Sequence, residues 1–296
     1  VGFNWDVNKD GKIVITGGTG IFTGLIPFVW FTNQPTNAGQ LQNMVEFKRG
    51  DNLPADFTFN PNYHETLSKY PQLFPSQPGQ VLPGAIAFVD PEFKMPQVWR
   101  TSVNADIKLP YNWTLSAGAM YTRDVYSVVQ KNINEKDPNG VISVGNGLER
   151  VFWTDRNNYR VEPNTNTVIK LTNGDKKGYQ YSFNAVLSKR FDFGQNGWLN
   201  GSFGYTYTMA KDLTANPGSS AASVWQNNVT VNSLNSEELG YSLFSTPHRL
   251  VGNVAYNVRS GWMNTTFSVF YTGYQDGRYS LTYYNDMNGD GNYSDL

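Results

Sequence analysis

Three side chains near the end of the chain have the oxygen chemistry and the spacing of a calcium loop. Asp286, Asn288 and Asp290, followed by Gly291, begin the pattern Asp-x-(Asp or Asn)-x-(Asp or Asn)-Gly. Calcium binds clustered hard oxygens, and the glycine allows the sharp turn of such loops. The position expected to hold a bidentate Glu lies beyond Leu296. We predict these three residues as candidate calcium ligands, and we expect no other metal or cofactor.

A second segment begins the same pattern with Asp6, Asn8, Asp10 and Gly11. Its twelfth position is Gly17, where a calcium loop would have Glu. Asp, Asn and Gly are also the residues that tight turns require, so a polar turn is the alternative for both segments. The turn is the stronger interpretation for both segments, and more so for the first.

The other residues that could do chemistry form no catalytic pattern. His64 and His248 are the only histidines, and the chain has no cysteine. A Gly-x-Ser-x-Gly nucleophile elbow is absent from the sequence. The glycines of residues 17–20 lie in a predicted strand and not before a helix, which disfavours phosphate binding. We therefore expect that the protein is not an enzyme.

The elements that would position these residues are strands in which apolar and polar side chains alternate. From Trp113 to Asp124, every second residue is apolar and those between are mostly small or polar. Because side chains on a strand point alternately to its two faces, each such segment has one apolar and one polar face. The predicted strands are Gly2–Val7, Lys12–Phe22, Val98–Leu109, Trp113–Gln130, Tyr179–Phe191, Trp198–Lys211, His248–Val258 and Trp262–Tyr274.

The connections between these strands are alternately short and long. The short ones are Asn8–Gly11, Pro110–Asn112, Asp192–Gly197 and Arg259–Gly261. The long ones are Thr23–Gln97, Lys131–Gly178 and Asp212–Pro247, and the first of them holds 10 of the 15 prolines. Transmembrane β-barrels of bacteria have this asymmetry, with short periplasmic turns and long extracellular loops.

The composition is compatible with such a barrel. The mean hydropathy of the 296 residues is −0.47, and no apolar run reaches the roughly 18 residues of a spanning helix. A barrel needs no such run, because only every second strand residue contacts lipid. Aromatic residues make up 15% of the chain, and the net charge of −1 gives no argument for nucleic-acid binding.

A soluble β-sandwich is the alternative, because it also alternates apolar and polar residues. Strands of roughly 11 to 18 residues exceed the usual 5–6 of globular sheets and suit a tilted membrane span. Trp113, Trp198 and Trp262 each open a strand after a short turn, as in an interfacial aromatic girdle. We predict an all-β fold, a partial transmembrane antiparallel β-barrel with long extracellular loops, whose lumen parity includes Arg100, Asp106, Lys108, Arg190 and Arg249.

The predicted strand directions place both ends of the chain on the long-loop side. Both termini would then lie outside the cell, which is awkward for a barrel assembled from the periplasm. We therefore interpret residues 1–296 as a fragment of the barrel domain of a larger transporter, with the plug and the N-terminal domains absent.

Several stretches resemble the TonB-dependent outer-membrane transporters, and most of all the Oar-like group of Bacteroidota, which carry a carboxypeptidase-regulatory-like domain. The similarity is spread over most of the chain, mainly its strands. It is carried by Gly2–Asp6, residues 17–22, residues 245–251, residues 267–271 and residues 286–292.

The resemblance implies a bacterial outer-membrane location and a 22-stranded barrel, of which this chain would supply about eight strands. It also implies energy-coupled uptake of a substrate, driven by the TonB complex through a plug that is not in this chain. The partners expected are outer-membrane lipid, the TonB complex, and other outer-membrane proteins or lipoproteins, but no nucleic acid. A barrel that scaffolds a larger assembly and a passive porin-like channel are the alternatives.

Overall fold

The computed structural model describes residues 1–43, 45–48, 50–293 and 295–296. It consists of one long antiparallel sheet and a smaller folded unit at one end of it. In chain order the elements are β1 (Gly2–Asp6), β2 (Ile13–Thr23), α1 (Val29–Asn37), α2 (Tyr63–Lys69), β3 (Ala85–Val89), β4 (Gln97–Leu109), β5 (Trp113–Tyr126), β6 (Val128–Asn132), β7 (Gly140–Gly145), β8 (Leu148–Phe152), β9 (Thr167–Asn173), β10 (Tyr179–Asp192), β11 (Gly197–Asp212), α3 (Ala221–Gln226), β12 (Gly240–Tyr241), β13 (His248–Ser260) and β14 (Met263–Tyr274). Three 3-10 turns lie at Pro71–Leu73, Pro110–Asn112 and Gly194–Asn196.

The alternating segments form the long sheet, and the predicted all-β partial barrel is confirmed. Its strands are ordered β1-β2-β4-β5-β10-β11-β13-β14, all antiparallel, and the short β12 pairs with the end of β11. Sequential neighbours are joined by short turns at one end and by long connections at the other. Among the described residues, β1 and β14 are edges that do not pair with each other, so the sheet is an open, partial barrel.

One predicted strand, Trp113–Gln130, is wrong in its length. It ends at Tyr126, and the chain continues as β6 in a different sheet. The neighbours explain the break, since β4 begins at Gln97 and β10 begins at Tyr179, both level with the end of β5. Beyond that level β5 has no ladder partner for its backbone groups, and such groups must be paired elsewhere.

The predicted long loops are not irregular, because they fold into a unit of their own. We call this the loop unit, made of the described residues within 24–96, 127–178, 213–247 and 275–296. It contains the three helices, the sheet β3-β9-β6 and the hairpin β7-β8. None of the described helices is long and apolar enough to cross a membrane.

Among the described residues, all the buried apolar side chains lie in the loop unit. Two clusters of these side chains form the core, one around Ile169 and Trp225 and the other around Leu171 and Val224. The strands of the long sheet contribute no buried hydrophobic residue among those described. No second layer therefore packs on the sheet, and the sandwich alternative is excluded for the described part of the chain.

Candidate functional site

The outer face of the long sheet is apolar and exposed. Strand register places Val103, Ala119 and Phe183 side by side, and it continues this row to Tyr207 and His248. Phe183 is 53% exposed and Val269, near the sheet edge, is 72% exposed. A surface this large and apolar is rare on soluble monomers and marks contact with a partner or with lipid.

Aromatic rings border this face at the long-loop end. Trp99 lies edge-on to Tyr121 with ring centroids 6.0 Å apart, and Tyr181 lies 6.3 Å from Tyr207. The Tyr205 hydroxyl and His248 Nδ1 are 2.6 Å apart, and His248 lies at the start of β13. Amphipathic rings of this kind concentrate where a membrane meets water.

The girdle predicted at the short-turn end is only partly correct. Trp113 faces outward, and the Lys189 ammonium lies 5.1 Å from its ring centroid. Trp198 pairs with Asp192 and lies on the polar parity, and Trp262 sits in a turn. Of the three tryptophans, Trp113 alone lies on the apolar face of a strand.

The inner face carries the charged and polar side chains that the sequence assigns to the lumen. Ser116 donates to Asp106 Oδ1 at 2.5 Å, and Arg100 Nε donates to Thr122 Oγ1 at 3.2 Å. These bonds join neighbouring strands along the wall. They satisfy the polar groups locally and bring no nucleophile, base and acid together.

Side-chain amides bind the long connections to one another. Asn235 accepts from the Asn132 backbone N–H at 2.7 Å and donates to the Asn132 carbonyl at 2.9 Å. Asn173 likewise exchanges two hydrogen bonds with the backbone of Lys94, at 2.6 and 2.7 Å. Glu237 forms an ion pair with Lys131 at 2.6 Å. These contacts join all three long connections into one unit at the long-loop end of the sheet.

Four loop aromatics could either form a recognition surface or pack the loops together, and the structure favours packing. Trp30, Trp153 and Trp225 are buried, at 4%, 2% and 3% exposure, and Phe31 packs against the second core cluster. The Trp225 indole N–H donates to Asn235 Oδ1 at 3.0 Å.

The predicted calcium ligands are brought close together by their loop. Asp286 accepts from the Gly289 and Gly291 N–H groups, and the Asn288 amide donates to Asp290 Oδ2 at 3.1 Å. Asp290 is 1% exposed, and burial together with the charges of Asp295 and Asp286 raises its pKa to about 6. Among the described residues, no three His, Asp or Glu side chains are arranged to hold a metal ion. Calcium binding here stays a prediction.

The first calcium-like segment forms the turn between β1 and β2. Asp6 accepts from the Gly11 N–H at 2.9 Å, and Asp10 forms an ion pair with Lys12 at 3.1 Å. These carboxylates stabilise the turn, in agreement with the polar-turn interpretation of this segment.

Calcium is expected to raise the melting temperature of the loop unit, and Asp290→Ala to remove this effect. An ion that binds only the folded state at about 100 times its Kd adds roughly 2.7 kcal/mol of stability. The measurement is thermal melting followed by near-UV circular dichroism, with calcium and with EDTA. Asp10→Ala is the control and should keep the calcium response. No calcium response in the unmodified protein would remove the prediction.

The buried Glu135 is expected to make the stability of the loop unit depend on pH. Its Oε1 accepts from the Ser233 hydroxyl at 2.9 Å and its Oε2 is buried without a partner, and burial, followed by the charge of Asp290, raises its pKa to about 8. Because the folded pKa lies above the unfolded one, the stabilisation is complete below about pH 4.5 and lost as pH rises through 8. The free energy of unfolding should therefore fall between pH 5 and pH 8.5 by up to about 4 kcal/mol.

Glu135→Gln should remove most of that fall, leaving the smaller part due to Asp290. Urea unfolding of the loop unit at both pH values, in EDTA, measures the difference. The exposed Glu92→Gln is the matched control and should retain the full fall. A Glu135→Gln protein with an unchanged fall would contradict the assignment.

Comparison with known proteins places these features in a family. The family described as "Outer membrane beta barrel domain" matches residues 1–276. Among solved structures, the outer membrane transporter YddB from Escherichia coli aligns with a TM-score of 0.48 and 13% identity, over 86% of this chain and 25% of that chain. The chain thus spans about a quarter of the length of that transporter. No curated protein matches it.

Proposed function

Because the chain belongs to the outer membrane beta barrel domain family, and is therefore a β-barrel protein of the outer membrane, we propose that it forms part of the wall of a TonB-dependent transporter of the Oar-like group. The transporter takes up a substrate that is too large or too scarce for diffusion. The chain performs no catalysis and holds no resident cofactor, apart from the calcium predicted above. Its partners are lipid, the TonB complex acting through a plug, and other outer-membrane proteins or lipoproteins, and it binds no nucleic acid.

The open edges of the long sheet are the observation that supports this proposal. Eight strands are enough to close a small barrel, yet β1 and β14 do not pair. A wall that stays open after eight strands suits a wider barrel, and a wider barrel has room for a plug. The inner face would line that lumen, and its charged groups would contact the plug.

Cross-linking in cells tests the energy coupling. The protein, expressed with its full chain, is expected to form a cross-link with TonB, and its purified form is expected to show no steady ion conductance in a planar bilayer. Removal of the plug should open a large conductance. A protein that conducts without any deletion and forms no TonB cross-link would be a porin-like channel instead.

A scaffold for an outer-membrane assembly is the second candidate, and the loop unit favours it. Its connected loops present one folded surface outside the membrane, where a partner protein could dock. A stable partner that co-purifies from detergent, together with no TonB cross-link, would support this function over transport.

A further inference from the structure

A cavity of about 320 Å³ lies between the inner face of the long sheet and the loop unit. Its wall is formed by the loop ends of β4, β5 and β11 and by the segment that leads from β2 into α1. The volume is within the usual range of small-molecule sites, which are mostly apolar with a few polar groups that fix orientation. The cavity lies at the loop end of the wall, on the side that faces the lumen.

Two carboxylates enter this cavity from strands on either side of β10. Asp124 and Asp212 both lie on the inner parity, at the loop ends of β5 and β11. Gly178 lies between them, since a Cβ there would come within 2.7 Å of Asp124 Oδ2 and 3.4 Å of the Asp212 Cα. The missing side chain lets the two acids share one space.

The Lys177 ammonium attracts the Asp124 carboxylate from beyond ion-pair distance, and no described cation is paired with either acid. Asp124 accepts from the Gly178 N–H at 3.0 Å, and Asp212 accepts from the Ser242 hydroxyl. The nearby Lys177 ammonium instead donates to the Gly174 carbonyl at 2.6 Å. Two half-buried carboxylates that share one space with a single unpaired ammonium nearby are costly, so the site favours a ligand that brings further positive charge.

Trp30 adds an independent sign of a missing partner. It lines the same cavity and is 4% exposed, and its indole N–H has no hydrogen-bond partner among the described residues. Buried indole N–H groups usually find an acceptor. Ile26, Val98 and Leu213 complete the wall with apolar surface.

We propose that this cavity binds a cationic ligand, an ammonium or guanidinium group on an apolar stem that also carries a hydrogen-bond acceptor, as in a lysine or arginine side chain of a peptide. Asp124 and Asp212 hold the cation, the aliphatic wall covers the stem, and Trp30 donates to the acceptor. This inference rests on the proposed function for its place on the uptake route, but binding itself requires no energy coupling.

Titration calorimetry on the full-chain protein in lipid nanodiscs tests the ligand class. The probes are N-acetyl-lysine amide, the uncharged N-acetyl-norleucine amide and the anionic N-acetyl-glutamate amide. We expect saturable binding of the lysine probe and at least about tenfold weaker binding of the other two, since charge-assisted bonds are the strong ones. Equal binding of the three probes, preference for the glutamate probe, or no binding overturns the proposal.

Variants locate the site. Asp124→Asn and Asp212→Asn should each weaken the lysine probe about tenfold, and Trp30→Phe should weaken it several-fold while keeping the ring. Asp192→Asn is the matched control, because Asp192 is an inner-face carboxylate at the opposite end of the sheet, and it should bind normally. Unchanged binding in both carboxylate variants also overturns the proposal.

The two proposals can fail separately. Lysine-probe binding in a protein that forms no TonB cross-link would leave the cationic site standing and remove the transport function. A TonB cross-link in a protein that binds no lysine probe would do the reverse.

Discussion

Val103→Arg is expected to prevent stable insertion of the barrel, whereas Ser102→Arg is expected to be tolerated. Val103 lies at the middle of β4 on the apolar face, and Gly17 and Ala119 flank it on the neighbouring strands. Val103 is 44% exposed on this face, so a long side chain can extend outward from it and the effect reports charge and not overpacking. An Arg facing lipid at the midplane of a barrel costs about 2–4 kcal/mol.

The measurement is urea unfolding in lipid vesicles, together with the gel shift between heated and unheated protein. Ser102 precedes Val103 in β4 and faces inward beside Gly18. Its Arg variant therefore places the same charge at the same depth in the membrane, but facing the aqueous lumen. Val103→Leu serves as a second control and should behave as the unmodified protein. Equal damage from the two Arg variants would mean that the faces are assigned incorrectly.

Trp225→Ala is expected to unfold the loop unit and leave the long sheet in the membrane. Trp225 packs with Ala87, Ile169, Ala221 and Leu234 in the first core cluster. Truncation of a fully buried tryptophan typically costs 3–5 kcal/mol, which is a large fraction of the stability of a small unit. The sheet has its own stabilisation from lipid and from its ladder hydrogen bonds, so it should persist.

Trypsin added to intact outer membranes measures the effect. The variant should be cleaved at lysines of the loop unit such as Lys131 and Lys170, and its gel shift should be retained. Trp262→Ala, which truncates a 96% exposed tryptophan in a short turn, should change neither readout. Loss of the gel shift in Trp225→Ala would mean that the sheet depends on the loop unit.

The sequence alone predicts the long sheet well, because one periodicity specifies each of its strands. Alternation identified eight strands, the order of short and long connections, and the inner position of Arg100, Arg190 and Arg249. Even the inward position of Trp198 could have been found by counting, since it shares the parity of Asn200 and Ser202. The position of Trp198 directly after a short turn instead favoured an outward, interfacial tryptophan, which is why the prediction was wrong.

The loop unit could not be predicted, because its contacts join residues that are far apart in sequence. Asn132 and Asn235 are 103 residues apart, and Lys94 and Asn173 are 79 apart. An asparagine that bonds a distant backbone is not distinguishable by type from an asparagine in a turn. The pairing of Asp124 with Asp212 was partly predictable from the sequence. Each is an inward-facing acid at the loop end of its strand, and in the sheet only β10 lies between the two strands.

The long-range amide bonds also determine the order of events during biogenesis. Two strands of the long sheet separate Asn132 from Asn235 along the chain, and two separate Lys94 from Asn173, so we expect each pair to meet after those strands have entered the sheet. Contacts between distant parts of a chain form late, since the closure entropy must be overcome first. We therefore expect the loop unit to complete its folding last, so that protease resistance is acquired after the strands are in place.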